Sequence, residues 1–381
     1  MQSFSKLKIV SIGIILLVAF FSFSCSKEKS EEVKIGVIVP LTGAAADFGK
    51  WAQNGVELAV AESNRDSGAS KKRCRAIYAD NQMDPKVALS AFKKLVEVDH
   101  VSGVITSGSG VVLAIAPAAE RSRTVQLNHA AVSPAIRKAG EYTFTLVNDA
   151  NVETDEIAGL VYRELEVKQI AVLYANAAYG VGTKDALIRS FTQLGGEVMG
   201  SVAFPEDFMD ARAQLLQLQK MNPAAVYFIA TIKDSGRLLK QARELGFKTQ
   251  WLTYNAFESP EILKIAGMAA EGVIYTSSNL FDLPNPQPEP KQFLNSYLSK
   301  YGERPNLYAA TAYDAMRLLA LASISSDGSK EGIQRFLASV TNYHGASGII
   351  TFDQDGSVQK PVFLKTVRDS QFVLYDYGKG E

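Results

Sequence analysis

The sequence predicts an α/β protein built from two successive units, each a mostly parallel sheet flanked by helices. Three observations carry this. From Val33 onward, short β-branched runs alternate with amphipathic helical stretches, the pattern of strands joined by covering helices. The same alternation restarts near residue 150. The length of 381 residues, with 47% hydrophobic and 21% charged residues, exceeds one small core but suits two globular units.

In the first unit the strands are read at 33–41 (VKIGVIVPL), 75–80 (RAIYAD), 101–108 (VSGVITSG) and 124–131 (TVQLNHAA). A helix is read from Trp51, and another from Pro85. In the second helix Val87, Ala91, Leu95 and Val98 recur at helical spacing. Pro85 suits a first turn, and Asp84 stands where a cap belongs. In the second unit a helix at 153–166 precedes strands at 168–176, 197–204, 224–231, 249–257 and 271–279. Helices lie between them, two of them closed by glycines, at Gly195–Gly196 and at Gly246. The segment 282–291 (DLPNPQPEPK) is proline-rich and reads as an extended crossover. Two helices follow, at 291–302 and 306–324, and the tail from Gly345 reads as strands joined by turns.

The first residues differ from the rest. Lys6 and Lys8 form a basic start, followed by an apolar run from Ile9 to Ser24. That run, about 16 residues, falls short of the ~20 that cross a bilayer as a helix. The layout is that of a secretory signal peptide over 1–24, the alternative being an uncleaved anchor. SFSC, ending at Cys25, resembles the lipobox of bacterial lipoproteins, in which the cysteine takes lipid and becomes the new N-terminus. Residues 25–32 are then a polar, lipidated tether. The other cysteine, Cys74 in KKRCR, reads as a surface residue of a basic loop.

Composition narrows the function. Lys+Arg and Asp+Glu both number 40, so the basic footprint of a nucleic-acid binder is absent. Two cysteines and three histidines (His100, His129, His344) exclude a multi-cysteine zinc site and disfavour any histidine-rich metal site. No cofactor is expected. G-x-S-x-G, the Walker A loop and H-E-x-x-H are all missing from the sequence, so no enzyme activity is expected.

Several segments resemble the leucine/isoleucine/valine-type periplasmic binding proteins of ABC transporters. They are KIGVIVPLTGAAADFGKWAQNGVELAVAE, DNQMDPKVALSAFKKLV, SGVITSGSGVVLAIAPAAE, IAVLYANAAYGVGTKDAL, LLKQARELGFKTQWL and ASGIITFDQDGSV. Their order spans nearly the whole mature chain. The resemblance implies a type I periplasmic binding protein fold, with two lobes, three hinge crossovers and closure around one small ligand. The N-terminal lobe would hold 33–147 and 280–346, the C-terminal lobe 148–279 and 347–381. The implied role is an extracytoplasmic solute-binding lipoprotein that captures an amino acid or related small carboxylate for an ABC permease. A monomer anchored by lipid in the periplasm or at the cell surface is expected. The other expectation is a sensor subunit with no transport role.

The resemblance also implies a site. SGSGVV is a glycine-rich turn opening a helix, whose free N–H groups suit a carboxylate; Ser109 stands where the family's serine meets that carboxylate. Ala130 matches a backbone contact to the ligand amino group. Val132 stands where relatives often have Thr, so a hydroxyl contact is lost. Phe48 and Tyr179 match aromatic walls, and Thr231 falls where a second aromatic is frequent. Asn255 replaces the glutamate that commonly pairs with the ligand ammonium, and Asp149 is the residue expected to compensate. His129 reads as a core histidine rather than a ligand contact. Val132 and Asn255 together weaken a plain branched-chain amino acid assignment, and the other polar end of the ligand is expected at Asn255.

Overall fold

The computed structural model describes residues 32–66 and 72–376. The expected leader, Cys25 and most of the tether lie outside the described residues.

The first sheet is entirely parallel. β1 (Glu32–Val39) pairs with β2 (Arg73–Asp80) on one side and β3 (Gly103–Thr106) on the other. β4 (Gln126–Asn128) and β5 (Thr143–Thr145) extend it, giving the order β2-β1-β3-β4-β5. β1 and β3 carry apolar side chains on both faces, as strands covered twice do. Ile35, Val37 and Val39 enter one core cluster and Ile38 and Val104 another. Three helices of this lobe follow its strands: α1 (Ala46–Asp66), α2 (Pro85–Glu97) and α3 (Ser109–Ser122).

The chain then crosses to a second sheet. It is opened by α4 (Ala150–Gly159) and contains β6 (Gln169–Ala175), β7 (Glu197–Phe204), β8 (Ala225–Ile229), β9 (Gln250–Thr253) and β10 (Ile274–Ser277), all parallel. α5 (Ala178–Gln193), α6 (Arg212–Met221), α7 (Ile232–Glu244) and α8 (Pro260–Ala266) connect them. Every residue of β8 is buried; Val226 and Phe228 face one cluster, Ala225, Tyr227 and Ile229 the other. The period of two thus sorts one strand into two cores.

Three further helices follow: α9 (Pro288–Tyr301), α10 (Leu307–Ser325) and α11 (Lys330–Ala338). α10 returns to the first lobe, where Ala312, Ala315 and Met316 pack with Ala52 and Val56 of α1. Gly55 permits that approach: a Cβ there would lie 2.1 Å from the Ala309 carbonyl oxygen. A short hairpin, β11 (Tyr343–Gly345) and β12 (Gly348–Ile350), precedes the last crossing. β13 (Phe363–Arg368) then pairs antiparallel with β10, and β14 (Gln371–Leu374) antiparallel with β13, completing the order β14-β13-β10-β9-β8-β6-β7.

The three crossings touch one another. Asn148, on the first, donates to the Lys360 carbonyl at 3.0 Å and accepts the Lys360 N–H at 2.8 Å on the third. Its amide also reaches Ser278 Oγ of the second at 3.4 Å.

Three sequence readings change, and one strand is new. The proline-rich 282–291 is extended only in part, because α9 begins at Pro288, where a missing N–H and a fixed φ suit a first turn. Ile350, Phe352 and Val358 pack in the first lobe's core, so the chain leaves that core after Val358 rather than at 346. Cys74 is not a surface residue: it is 4% exposed inside β2 and packs with Val33 and Val125, and burial pushes its thiol pKa up. β5, three residues long, carries too short a pattern to be read from sequence.

Candidate functional site

In open parallel sheets, ligands sit beyond the carboxyl ends of the strands. Here those ends converge from both sheets on one cavity of ≈ 390 Å³.

From the first lobe come the segments after β1, β2, β3 and β4. Asp80, ending β2, accepts the Leu41 N–H at 2.8 Å and the Gln82 N–H at 3.0 Å, fixing two of these loops. Asp84 caps α2, accepting from Lys86 at 2.7 Å and Val87 at 3.0 Å. Gly108 precedes α3 with φ +90°, and a Cβ there would meet Met83 Sδ at 2.9 Å. No side chain caps α3, so its first N–H groups remain free donors at the wall. The Ser109 hydroxyl oxygen accepts the Ser133 N–H at 3.2 Å, which leaves its proton free to donate outward. Ser107 Oγ, buried on the same wall, has no hydrogen-bond partner among the described residues. Asn128 Oδ1 takes the N–H groups of Ala130 and Ala131 at 3.1 and 2.7 Å, so Ala130 offers its carbonyl to the cavity. Tyr308 of α10 and Phe48 close this side with ring centroids 4.8 Å apart, edge to face.

The second lobe presents Tyr179, Glu206, Asp207, Thr231, Asp234, Tyr254 and Ala256. The Thr231 hydroxyl donates to Asp234 Oδ2 at 3.0 Å. Partial burial raises the Glu206 carboxyl; the charge of Asp234 adds to this and the Tyr179 hydroxyl opposes it. Burial likewise raises Asp234, against hydrogen bonds from Asp207 and Thr231 and the charge of Arg237.

The sequence profile of the periplasmic binding protein family matches residues 32–371. The chain belongs to this family. Its fold and family are those of non-enzymatic, periplasmic solute-binding proteins. A leucine-, isoleucine-, valine-, threonine- and alanine-binding protein of Pseudomonas aeruginosa is 23% identical over 368 residues, covering 95% of this chain and 94% of that protein. The crystal structure of the leucine-binding protein LivK of Thermotoga maritima superposes with a TM-score of 0.84 at 28% identity, over 90% of this chain and 98% of that one. The branched-chain amino acid binding protein LivJ of Streptococcus pneumoniae, in complex with isoleucine, gives 0.82 at 24% identity, again over 90% and 98%.

Within this periplasmic binding protein, six residues singled out from the sequence meet at the cavity: Phe48, Ser109, Ala130, Val132, Tyr179 and Thr231. Asp149 and Asn255 are not on its wall. Asp149 caps α4, accepting from Asn151 at 2.9 Å, and is paired with Arg137. Asn255 is 8% exposed; its amide donates to Glu153, and its Oδ1 accepts the Tyr308 hydroxyl at 3.3 Å. It therefore stands behind Tyr308, one bond removed from the cavity. His129 is fully buried off the wall, as a core residue, with the Tyr308 backbone as its polar neighbour.

Sequence reasoning missed Glu206, Asp207 and Asp234. Their signal was present, since Glu206 and Asp207 directly follow a strand end and Asp234 lies in the turn that opens a helix after one. Tyr308 had none: it reaches the cavity from a helix two crossings later in the chain.

Proposed function

We propose that this chain is the extracytoplasmic solute-binding lipoprotein of an ABC importer, taking an amino acid or related small carboxylate between its lobes and handing it to a permease. The observation that carries the reading is the uncapped start of α3 with Ser109 on one wall of a ≈ 390 Å³ cavity. Free N–H groups, a positive helix end and a donating hydroxyl together favour a carboxylate. That volume lies in the range of small-molecule sites, roughly 300–1,000 Å³. Val132 supplies its backbone N–H beside the carboxylate, the Ala130 carbonyl faces the ligand's amino end, Phe48 and Tyr179 enclose the ligand, and Thr231 borders it. The relatives named above, which by name bind branched-chain and other aliphatic amino acids, support the class of ligand.

Native mass spectrometry of protein from its source, followed by calorimetry with the molecule released, tests the reading. A retained small carboxylate that rebinds with 1:1 stoichiometry and without turnover is the expected result; chemical conversion of the ligand would refute it. Binding should also close the lobes by hinge motion and shrink the radius of gyration in small-angle scattering. The anchor is tested separately. Cys25→Ala should release the protein from membranes or leave it as precursor, and unchanged fractionation and processing would remove the lipid from the proposal.

A further inference from the structure

The two walls of the cavity differ in charge. Its lining includes Asp84, Glu206, Asp207 and Asp234, and among the described residues of that lining there is no lysine, arginine or histidine. Two of the four acids are already compensated. Asp84 caps α2, and Asp207 pairs with Arg237 Nη1 at 2.9 Å. Asp234 is compensated only in part. It is 1% exposed, and its Oδ2 accepts the Asp207 N–H at 3.1 Å and the Thr231 hydroxyl at 3.0 Å. Its Oδ1 receives no hydrogen bond, with Arg237 Nη1 3.5 Å away. Glu206 pairs with no basic residue of the described chain. The Tyr179 hydroxyl is turned toward it, the one polar neighbour that favours its charged form.

We propose that Glu206, backed by Asp234 and flanked by Tyr179, receives a cationic nitrogen of the ligand, so that the cavity selects zwitterions and rejects carboxylates that lack an amine. The inference rests on the solute-binding reading and names its ligand class. Asn255, committed to Glu153 and Tyr308, does not perform this task. An anion entering alone would find donors at Ser109 but uncompensated carboxylates opposite. A zwitterion satisfies both walls, and its ammonium fills the place left by the missing counter-charge. The raised carboxyls of Glu206 and Asp234 agree with two negative groups crowded together with little compensation.

Calorimetry with the proteinogenic L-amino acids, each aliphatic one paired with its des-amino acid, and with benzoate decides the question. The wild-type protein should bind its best amino acid at least a hundredfold more tightly than the des-amino counterpart. Glu206→Gln should weaken that amino acid at least tenfold, Glu206→Asp should restore part of the loss, and circular dichroism of each variant should stay native. Affinity should fall as pH drops through the raised range of Glu206, and Glu206→Gln should flatten this dependence; Tyr179, Asp207, Asp234 and Arg237 are the other titratable and charged groups facing it. Equal affinity for the des-amino acid, or a folded Glu206→Gln that binds the amino acid unchanged, overturns the inference. Binding of amine-free carboxylates alone overturns it while leaving the solute-binding reading intact. A native protein that binds no member of either set overturns both.

Discussion

The two lobes face each other across one cavity with opposite chemistry. The first offers chiefly uncharged hydrogen-bond donors, its carboxylate Asp84 being committed to the cap of α2: an uncapped helix start, the Ser109 hydroxyl and a hydroxyl at Ser107 with no partner among the described residues. The second offers carboxylates, of which Glu206 pairs with no basic residue of the described chain. Neither wall alone makes a site for a zwitterion. The difference teaches that the charge a ligand meets here is set by loops at strand ends in one lobe and by helix geometry in the other.

Behind each wall lies a fully enclosed titratable group, and these should give the largest measurable contrast. Glu153 stands behind the second wall, bonded by Asn255 and by the Thr276 hydroxyl at 2.7 Å, and burial raises it from 4.5 to about 7. His129 stands behind the first, and burial lowers it from 6.5 to about 4. The folded state therefore holds the Glu153 proton longer than the unfolded chain. Its contribution to stability is complete below about 4.5 and is lost as pH rises through about 7. His129 acts the other way: its contribution is complete above about 6.5 and is lost as pH falls through about 4. Each is worth roughly 3 kcal/mol at its limit, at 1.36 kcal/mol per pKa unit. Between these limits they offset. Glu153→Gln should remove one of the opposing slopes, so that stability from urea unfolding rises clearly from pH 4 to 6.5. An unchanged pH profile in this variant would show that Glu153 is not the second wall's buried acid.

The donor wall is probed next. Ser109→Ala removes the hydroxyl proposed to meet the carboxylate and leaves the helix N–H groups in place. A roughly tenfold loss of affinity is expected, corresponding to about 1.5 kcal/mol for a charge-assisted hydrogen bond. The loss should be equal for every carboxylate ligand, with or without an amine. A loss confined to amine-bearing ligands would reverse the assignment of the two walls.

The smallest effect on binding is expected at Asn255. Asn255→Ala should change ligand affinity about threefold or less, because the residue is not on the cavity wall. It should cost about 1–3 kcal/mol of stability, since Glu153 and the Tyr308 hydroxyl each lose a partner. A loss of ligand affinity greater than tenfold, with little change in stability, would place Asn255 back at the ligand.

Much of this was legible in the chain. The alternation of strand and helix announced both sheets, because a parallel strand covered on two faces is apolar throughout and its crossover helix is amphipathic. Asp84 and Pro85 marked the start of α2 through local capping chemistry, and SGSGVV marked an uncapped helix start. Such signals depend on neighbours in sequence, and sequence preserves them. The six expected residues that meet at the cavity all lie in segments of this kind or in the resemblance to the family.

What the sequence could not determine is which polar groups face the ligand and which face one another. The resemblance to the family implies a ligand contact at Asn255. Folding instead brings Glu153, 102 residues away in the chain, against its amide. Asp149 was read as a spare charge, yet Arg137 and the first turn of α4 consume it. Cys74 sits among cations in sequence and among apolar side chains in space, because successive residues of a strand point to opposite faces. Tyr308 and Glu206 share the cavity only because three crossings bring distant loops together. Helix starts, strand runs and turns are set by interactions a few residues apart, so the sequence determined them alone. The partner of a buried polar group is decided by which distant group arrives beside it, and only the tertiary structure supplies that.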